Sequence, residues 1–106
     1  ARGVMAMCDV SDGEGVSCTV IHARASTGSA PSGLLHLAGT LKDGLLSNLK
    51  WDDFEEVLRP KVGGLRSLRR AIAGRGEEVA SVLFSSVTSL IGNMGQTNYG
   101  AANGFM

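Results

Sequence analysis

Three short apolar runs rich in β-forming residues punctuate the chain: Val4 to Val10, Gly33 to Ala38, and Val79 to Phe84 (VASVLF). Each has the length of a strand and is too short for a buried helix. Between the first two, Val16, Val20 and Ala23 recur at helical spacing, which predicts a helix over Gly15 to Ala25. Between the second and third, Trp51, Phe54, Val57 and Leu58 mark one face of an amphipathic helix. That face continues beyond Pro60 through Val62, Leu65, Leu68 and Ile72. Proline lacks an N–H and crowds the preceding turn, so a kink is expected at Pro60. Gly74 and Gly76 are expected to stop the helix, and Ser26 to Ser32 (STGSAPS) reads as a surface loop. The tail from Asn98 is rich in alanine and helix-like. Trp51 and Phe54 are expected to anchor the core, and Met94 and Met106 to fill gaps in it.

Strands alternating with helices predict an α/β fold, a doubly wound parallel sheet covered on both faces. In such sheets ligands lie beyond the carboxyl ends of the strands. The segments after Val10, Ala38 and Phe84 should therefore converge on one crevice. The glycine-rich phosphate loop that ordinarily follows a first strand has no good counterpart. The nearest approach, Gly74-Arg75-Gly76, lies between a helix and a strand and has Val79 in place of the third glycine, so it reads as a turn. Three strands do not complete such a sheet. Residues 1–106 are therefore expected to be an internal piece of a larger domain, without its N-terminal phosphate loop and its C-terminal part. Taken alone, the piece should expose a sheet edge and apolar surface.

Composition narrows the function. With 43% hydrophobic residues the chain must bury a core. Ten basic residues balance ten acidic ones, so no net field draws a nucleic acid or an anionic membrane. Arg66, Arg69 and Arg70 share one helix face and read as a solvated surface. Cys8 and Cys18 form no CxxC pair, and only His22 and His36 could join them, so no metal site is expected. Isolated thiols of this kind fit a reducing compartment, which makes the cytoplasm the expected location. No apolar run approaches the roughly 18 residues that span a bilayer. Both histidines read as structural.

Chemistry concentrates in VLFSSVTSLIGNMGQTNYGAANGFM, where two serines follow a strand and the single tyrosine opens a helix. Tyr99 and Asn103 lie four residues apart and share a helix face. A phenol, with a pKa of about 10, transfers protons poorly at neutral pH unless a cation favours its ionised form. The helix after Tyr99 offers neither lysine nor arginine, and spacing alone leaves the identity of that cation open.

The segments HLAGTLKDGLL, LRPKVGG, VLFSSV and GQTNYGAAN, in this order, resemble the ketoreductase domains of modular and iterative polyketide synthases and of animal fatty-acid synthase. These belong to the short-chain dehydrogenase/reductase superfamily, and the resemblance runs from about Val4 to the end. Ordinary members carry lysine four residues after the tyrosine. The synthase ketoreductases carry asparagine there and lysine on an earlier helix, and this chain shows that second arrangement. The resemblance implies NADPH-dependent reduction of a β-ketoacyl thioester tethered to an acyl carrier protein, beside the other domains of a multidomain synthase. It assigns Tyr99 as the general acid, Ser86 as a hydrogen-bond donor to the same carbonyl oxygen, and Lys61 as the cation that lowers the tyrosine pKa and holds the nicotinamide ribose. Asn103 completes the tetrad by organising water or side chains around Lys61. Ser85 reads as satisfying backbone groups at the strand end.

For the cofactor, Asp9 and Val10 resemble the pair that lies against the adenine ring. Ala38 and Gly39 resemble the close-approach turn near ribose and phosphate. Leu41-Lys42-Asp43 stands where one stereochemical class has Leu-Asp-Asp, and Ile91 stands where the opposite class has tryptophan. Leu41 and Asp43 thus favour the D-hydroxy product. Three other readings compete: a non-catalytic structural half domain, which Ser86 and Tyr99 oppose; a free-standing reductase of a small carbonyl compound, which the place of Lys61 opposes; and an independently folding binding module, which the missing phosphate loop opposes.

Overall fold

The computed structural model describes residues 3–73 and 78–106. Its elements run α1 (Gly13–Thr27), β1 (Gly33–His36), α2 (Trp51–Leu58), a π turn (Arg59–Gly63), α3 (Gly64–Ala73), β2 (Ala80–Leu83), α4 (Thr88–Ile91) and α5 (Thr97–Phe105). Asp12 caps α1, its carboxylate accepting the Glu14 N–H at 3.1 Å. Gly28, at φ +71°, closes the helix in the left-handed conformation that glycine adopts without strain. The Asp53 carboxylate reaches back to the Lys50 N–H at 2.8 Å and fixes the start of α2. The expected turn at Gly74-Arg75-Gly76 lies outside the described residues.

β1 and β2 pair in parallel, Gly33 against Ala80 through His36 against Leu83. Phe84 extends the ladder, its N–H donating to the His36 carbonyl at 3.1 Å. The connection between them is the long helical run from α2 to α3, so the predicted strand-helix-strand unit is present. Two expectations change. Val4 to Val10 forms no strand, because strand structure needs a hydrogen-bonded neighbour and no described segment lies alongside it. The sheet is covered on one face only by described residues: Leu34 and His36 are buried, while Leu35, Val82 and Phe84 on β1 and around β2 stand open.

Pro60 does not break the helix. Its missing N–H and bulky ring are accommodated by one π turn, in which the Gly64 N–H reaches back to Arg59 O and is shared with Lys61 O. The buried stripe then runs Val57, Lys61, Gly64, Leu65 and Ile72, with Lys61 rather than Val62 on the inner face. Trp51, expected in the core, is 67% exposed and stacks on the half-buried Phe54 with ring centroids 6.3 Å apart. Met94 is likewise on the surface. Among the described residues no helix is long and apolar enough to cross a membrane.

α1 lies on α3, and α2 with the π turn lies against α5. Gly64 lets the pieces close: a Cβ there would meet Val10 Cγ2 at 2.7 Å and His36 Cε1 at 3.2 Å. Gly64→Ala should therefore lower the denaturation midpoint of the domain. Overpacking costs about 1–3 kcal/mol, against roughly 1 kcal/mol that alanine gains in helix propensity. A midpoint that rises would show that the segment at Val10 yields.

Candidate active site

At and beyond the carboxyl ends of β1 and β2 the interior turns polar. His36, Lys61, Asn98 and Asn103 are as deeply buried as the apolar core of Val16, Val57, Leu65, Ile72 and Ala102. Buried polar groups carry more information than buried apolar ones, because each must find a partner or cost free energy. Lys61 finds three. Its Nζ donates to Phe84 O at 2.9 Å and lies 5.7 Å from the centroid of the Tyr99 ring, and its backbone carbonyl meets His36 Nε2 at 3.0 Å. Burial pushes the Lys61 pKa below its ordinary value of 10.5.

α5 holds Tyr99 against this ammonium. The Tyr99 N–H donates to Asn98 Oδ1 at 2.8 Å, satisfying one of the free donors at the helix start. Asn103 Nδ2 donates to Tyr99 O at 2.7 Å, and Ser85 Oγ to Asn103 O at 2.9 Å. Ser85 thus ties the end of β2 to α5. Asn103 Oδ1 is buried with no donor among the described residues, which suits a water or a ligand hydroxyl. Gly100 brings α5 close to α4, where a Cβ would sit 3.4 Å from Thr88 O.

Ser86 is placed differently. Its hydroxyl donates to Thr88 Oγ1 at 3.1 Å and accepts the Thr88 N–H at 3.2 Å. From there a chain continues: Thr88 Oγ1 donates to Gln96 Oε1 at 3.4 Å, and Gln96 Nε2 donates to Asp43 Oδ2 at 3.0 Å. Ser86 and Asp43, distant in sequence, are joined through the side chains of Thr88 and Gln96. Asn98 is a further residue that sequence reasoning misses. It is fully buried, and its Nδ2 holds Lys42 O at 2.8 Å and Asp53 O at 3.2 Å, fixing the segment of Leu41 and Asp43 against α2 and α5. Lys42 itself turns outward to Glu56 at 3.4 Å, leaving Asp43 as the acid that faces the loop before Tyr99. An asparagine directly before a tyrosine at a helix start is the available signal for Asn98, and Gln96 stands in the same GQTNYGAAN segment; Thr88 offers none.

The residues expected at a cofactor divide between two places. Gly39 lies at Lys61: a Cβ there would be 3.2 Å from Lys61 Cε and 3.6 Å from Nζ, so the bare backbone leaves room beside the ammonium. Ala38, half-buried, precedes it just after β1. Asp9 lies at the outer side of the π turn, and the half-buried Val10 packs against Gly64. Asp9 accepts from Ser11 Oγ at 2.7 Å and from the Ser11 N–H at 2.9 Å, and pairs with Arg59 at 3.5 Å. Those hydrogen bonds from Ser11, with the Arg59 charge, hold its carboxyl below the usual range.

The profile of the KR domain family matches residues 2–106. Polyketide synthase 19 of Gibberella fujikuroi is 41% identical over 100 residues, covering 92% of this chain and 4% of that protein. A polyunsaturated fatty acid synthase of a Thraustochytrium species is 35% identical over 102 residues, covering 96% of this chain and 4% of that protein. The chain thus spans a small part of the length of these relatives. Among solved structures, an N-terminal ketoreductase from the macrolactin assembly line superposes with a TM-score of 0.87 at 31% identity, over 98% of this chain and 21% of that one. The first ketoreductase of the tylosin polyketide synthase does so at 0.74 and 37%, over 91% and 20%. A parallel strand-helix-strand unit with a buried lysine facing a tyrosine, and this agreement over nearly its whole length, place the chain in the KR domain family, the Rossmann-like ketoreductase domains of type I polyketide synthases.

Proposed function

We propose that this chain is the catalytic segment of an NADPH-dependent β-ketoreductase. Its substrate is a β-ketoacyl thioester carried on an acyl carrier protein, and its product the β-hydroxyacyl thioester. The observation that carries the proposal is the buried Lys61 ammonium held over Tyr99, with a buried unpaired acceptor, Asn103 Oδ1, on the same helix. The same reading makes residues 1–106 an internal segment of a ketoreductase domain in a cytoplasmic, multidomain synthase.

The residues present fit a nicotinamide cofactor: Lys61 offers donors, Asn103 Oδ1 an acceptor, and Gly39 a backbone that a ligand can approach closely. Lys61 and Tyr99 would hold the nicotinamide ribose, Ala38 and Gly39 the neighbouring ribose and phosphate, and Asp9 and Val10 the adenine. When bound, the cofactor supplies the hydride. Tyr99 protonates the carbonyl oxygen as its charge develops, and the fixed positive charge of Lys61 favours the phenolate left behind. Ser86 donates a second hydrogen bond to that oxygen. A rotation about one C–O bond turns its proton from Thr88 to the substrate.

The test is NADPH oxidation by the complete parent domain with a β-ketoacyl thioester, followed by chiral analysis of the product. Turnover is expected, and a domain that binds no cofactor would return the non-catalytic scaffold in its place. Asp43, held by Gln96 at the start of the helix that carries Tyr99, and Ile91 in place of tryptophan favour the D-hydroxy product. Mostly L-hydroxy product would overturn that assignment.

A further inference from the structure

His36 is 2% exposed and has no part in the reaction as proposed. It follows Leu34 on the covered face of β1, a position that the period of a strand reserves for the core. Its Nε2 lies 3.0 Å from the carbonyl oxygen of Lys61. A carbonyl only accepts, so the ring presents Nε2–H there. The acceptor belongs to the π turn, where the Gly64 N–H is divided between Arg59 O and Lys61 O. Lys61 O thus shares the Gly64 donor with Arg59 O, and the imidazole gives it one of its own.

Three hydrogen bonds then close a ring. The His36 side chain donates to Lys61 O, Lys61 Nζ donates to Phe84 O at 2.9 Å, and the Phe84 N–H donates to His36 O at 3.1 Å. Backbone and ammonium of one lysine are thereby tied to the ends of both strands. Gly64 makes room for the ring, since a Cβ there would stand 3.2 Å from His36 Cε1. We propose that His36 is a positioning residue for the reductase: through the Lys61 carbonyl it sets where the Lys61 ammonium sits against Tyr99 and the cofactor ribose. The proposal rests on the ketoreductase reading above.

The experiment uses the complete parent domain and three variants. His36→Gln keeps an N–H that can reach the Lys61 oxygen, His36→Asn is too short to reach it, and His36→Leu keeps bulk without a donor. The Asn and Leu variants should lose about tenfold in kcat, the worth of one such bond in the transition state. The alkaline limb of their rate profile should move to higher pH, because a loosened Lys61 regains water. The Gln variant should keep both rate and profile near those of the parent. Equal losses in all three variants, unchanged rates in Asn and Leu, or losses that follow the melting temperature with the limb unmoved would each reduce His36 to a core residue and overturn the proposal. If the Leu variant does not fold, Asn against Gln decides. The parent and Tyr99→Phe in the same preparation separate the two levels: a parent without turnover defeats the reductase reading itself, whereas turnover unaffected by loss of the hydroxyl removes Tyr99 from the chemistry, and the role of His36 with it.

Discussion

Replacing Tyr99 with phenylalanine in the complete parent domain should cut β-ketoacyl reduction about 10²–10⁴-fold, the range that positioned acid catalysis supplies, while NADPH still binds. The substitution is narrow in its effects. The ring that faces Lys61 remains, as do the Tyr99 N–H bond to Asn98 and the Asn103 bond to Tyr99 O, since both use the backbone. Only the proton to be transferred is lost. Because the charge and the helix are unchanged, the melting temperature should stay close to that of the parent. NADPH affinity and turnover, measured side by side, check this. Full turnover by the phenylalanine variant would remove Tyr99 from the chemistry and pass the acid's role to another group.

Lys61→Met should be as damaging to turnover and nearly neutral to stability. Removing a fixed charge from the point where negative charge develops costs about 10²–10³-fold in rate. Two effects on stability oppose each other. Methionine relieves the desolvation of a buried ammonium, and it leaves Phe84 O without its donor, worth about 1–3 kcal/mol. The pH dependence carries the same signature. Lys61 titrates below 10.5, so parent turnover should fall as pH rises through that lowered pKa. Between the lowered pKa and 10.5 the unfolded chain binds the proton more tightly than the folded one, so stability should rise with pH across that window. The methionine variant should lack both slopes. Turnover within about threefold of the parent, with its alkaline limb intact, would transfer the cation's role to another group.

Much of the fold was legible because it follows from local period. The runs at Gly33 and Val79 became β1 and β2, and the apolar stripe after Trp51 became one helical run into α3. Val4 to Val10 shows the limit of that reasoning: β-propensity specifies a willingness to pair, and pairing requires a neighbour. Trp51 shows another, since a large apolar side chain at the first turn of a helix can face solvent when no described element covers it. The burial of Lys61 was available in the sequence, four residues after Val57 and four before Leu65, yet period alone ranks a lysine there below the adjacent Val62. Only the π turn and the carbonyl of Phe84 explain why the charge goes inward.

The sequence by itself determined the alternation of strands and helices, the order of the segments that mark the family, and the residue types available for proton transfer. These depend on spacing along the chain and on chemistry intrinsic to each side chain. Tertiary structure decided which groups meet: Lys61 with Phe84, Tyr99 and His36; Ser86 with Asp43 by way of Thr88 and Gln96; Asn98 with Lys42 and Asp53. The reason is physical. A buried polar group must be satisfied by whatever the folded backbone brings within about 3 Å, and that neighbour is chosen by the packing of strand ends and helices that lie far apart in the chain.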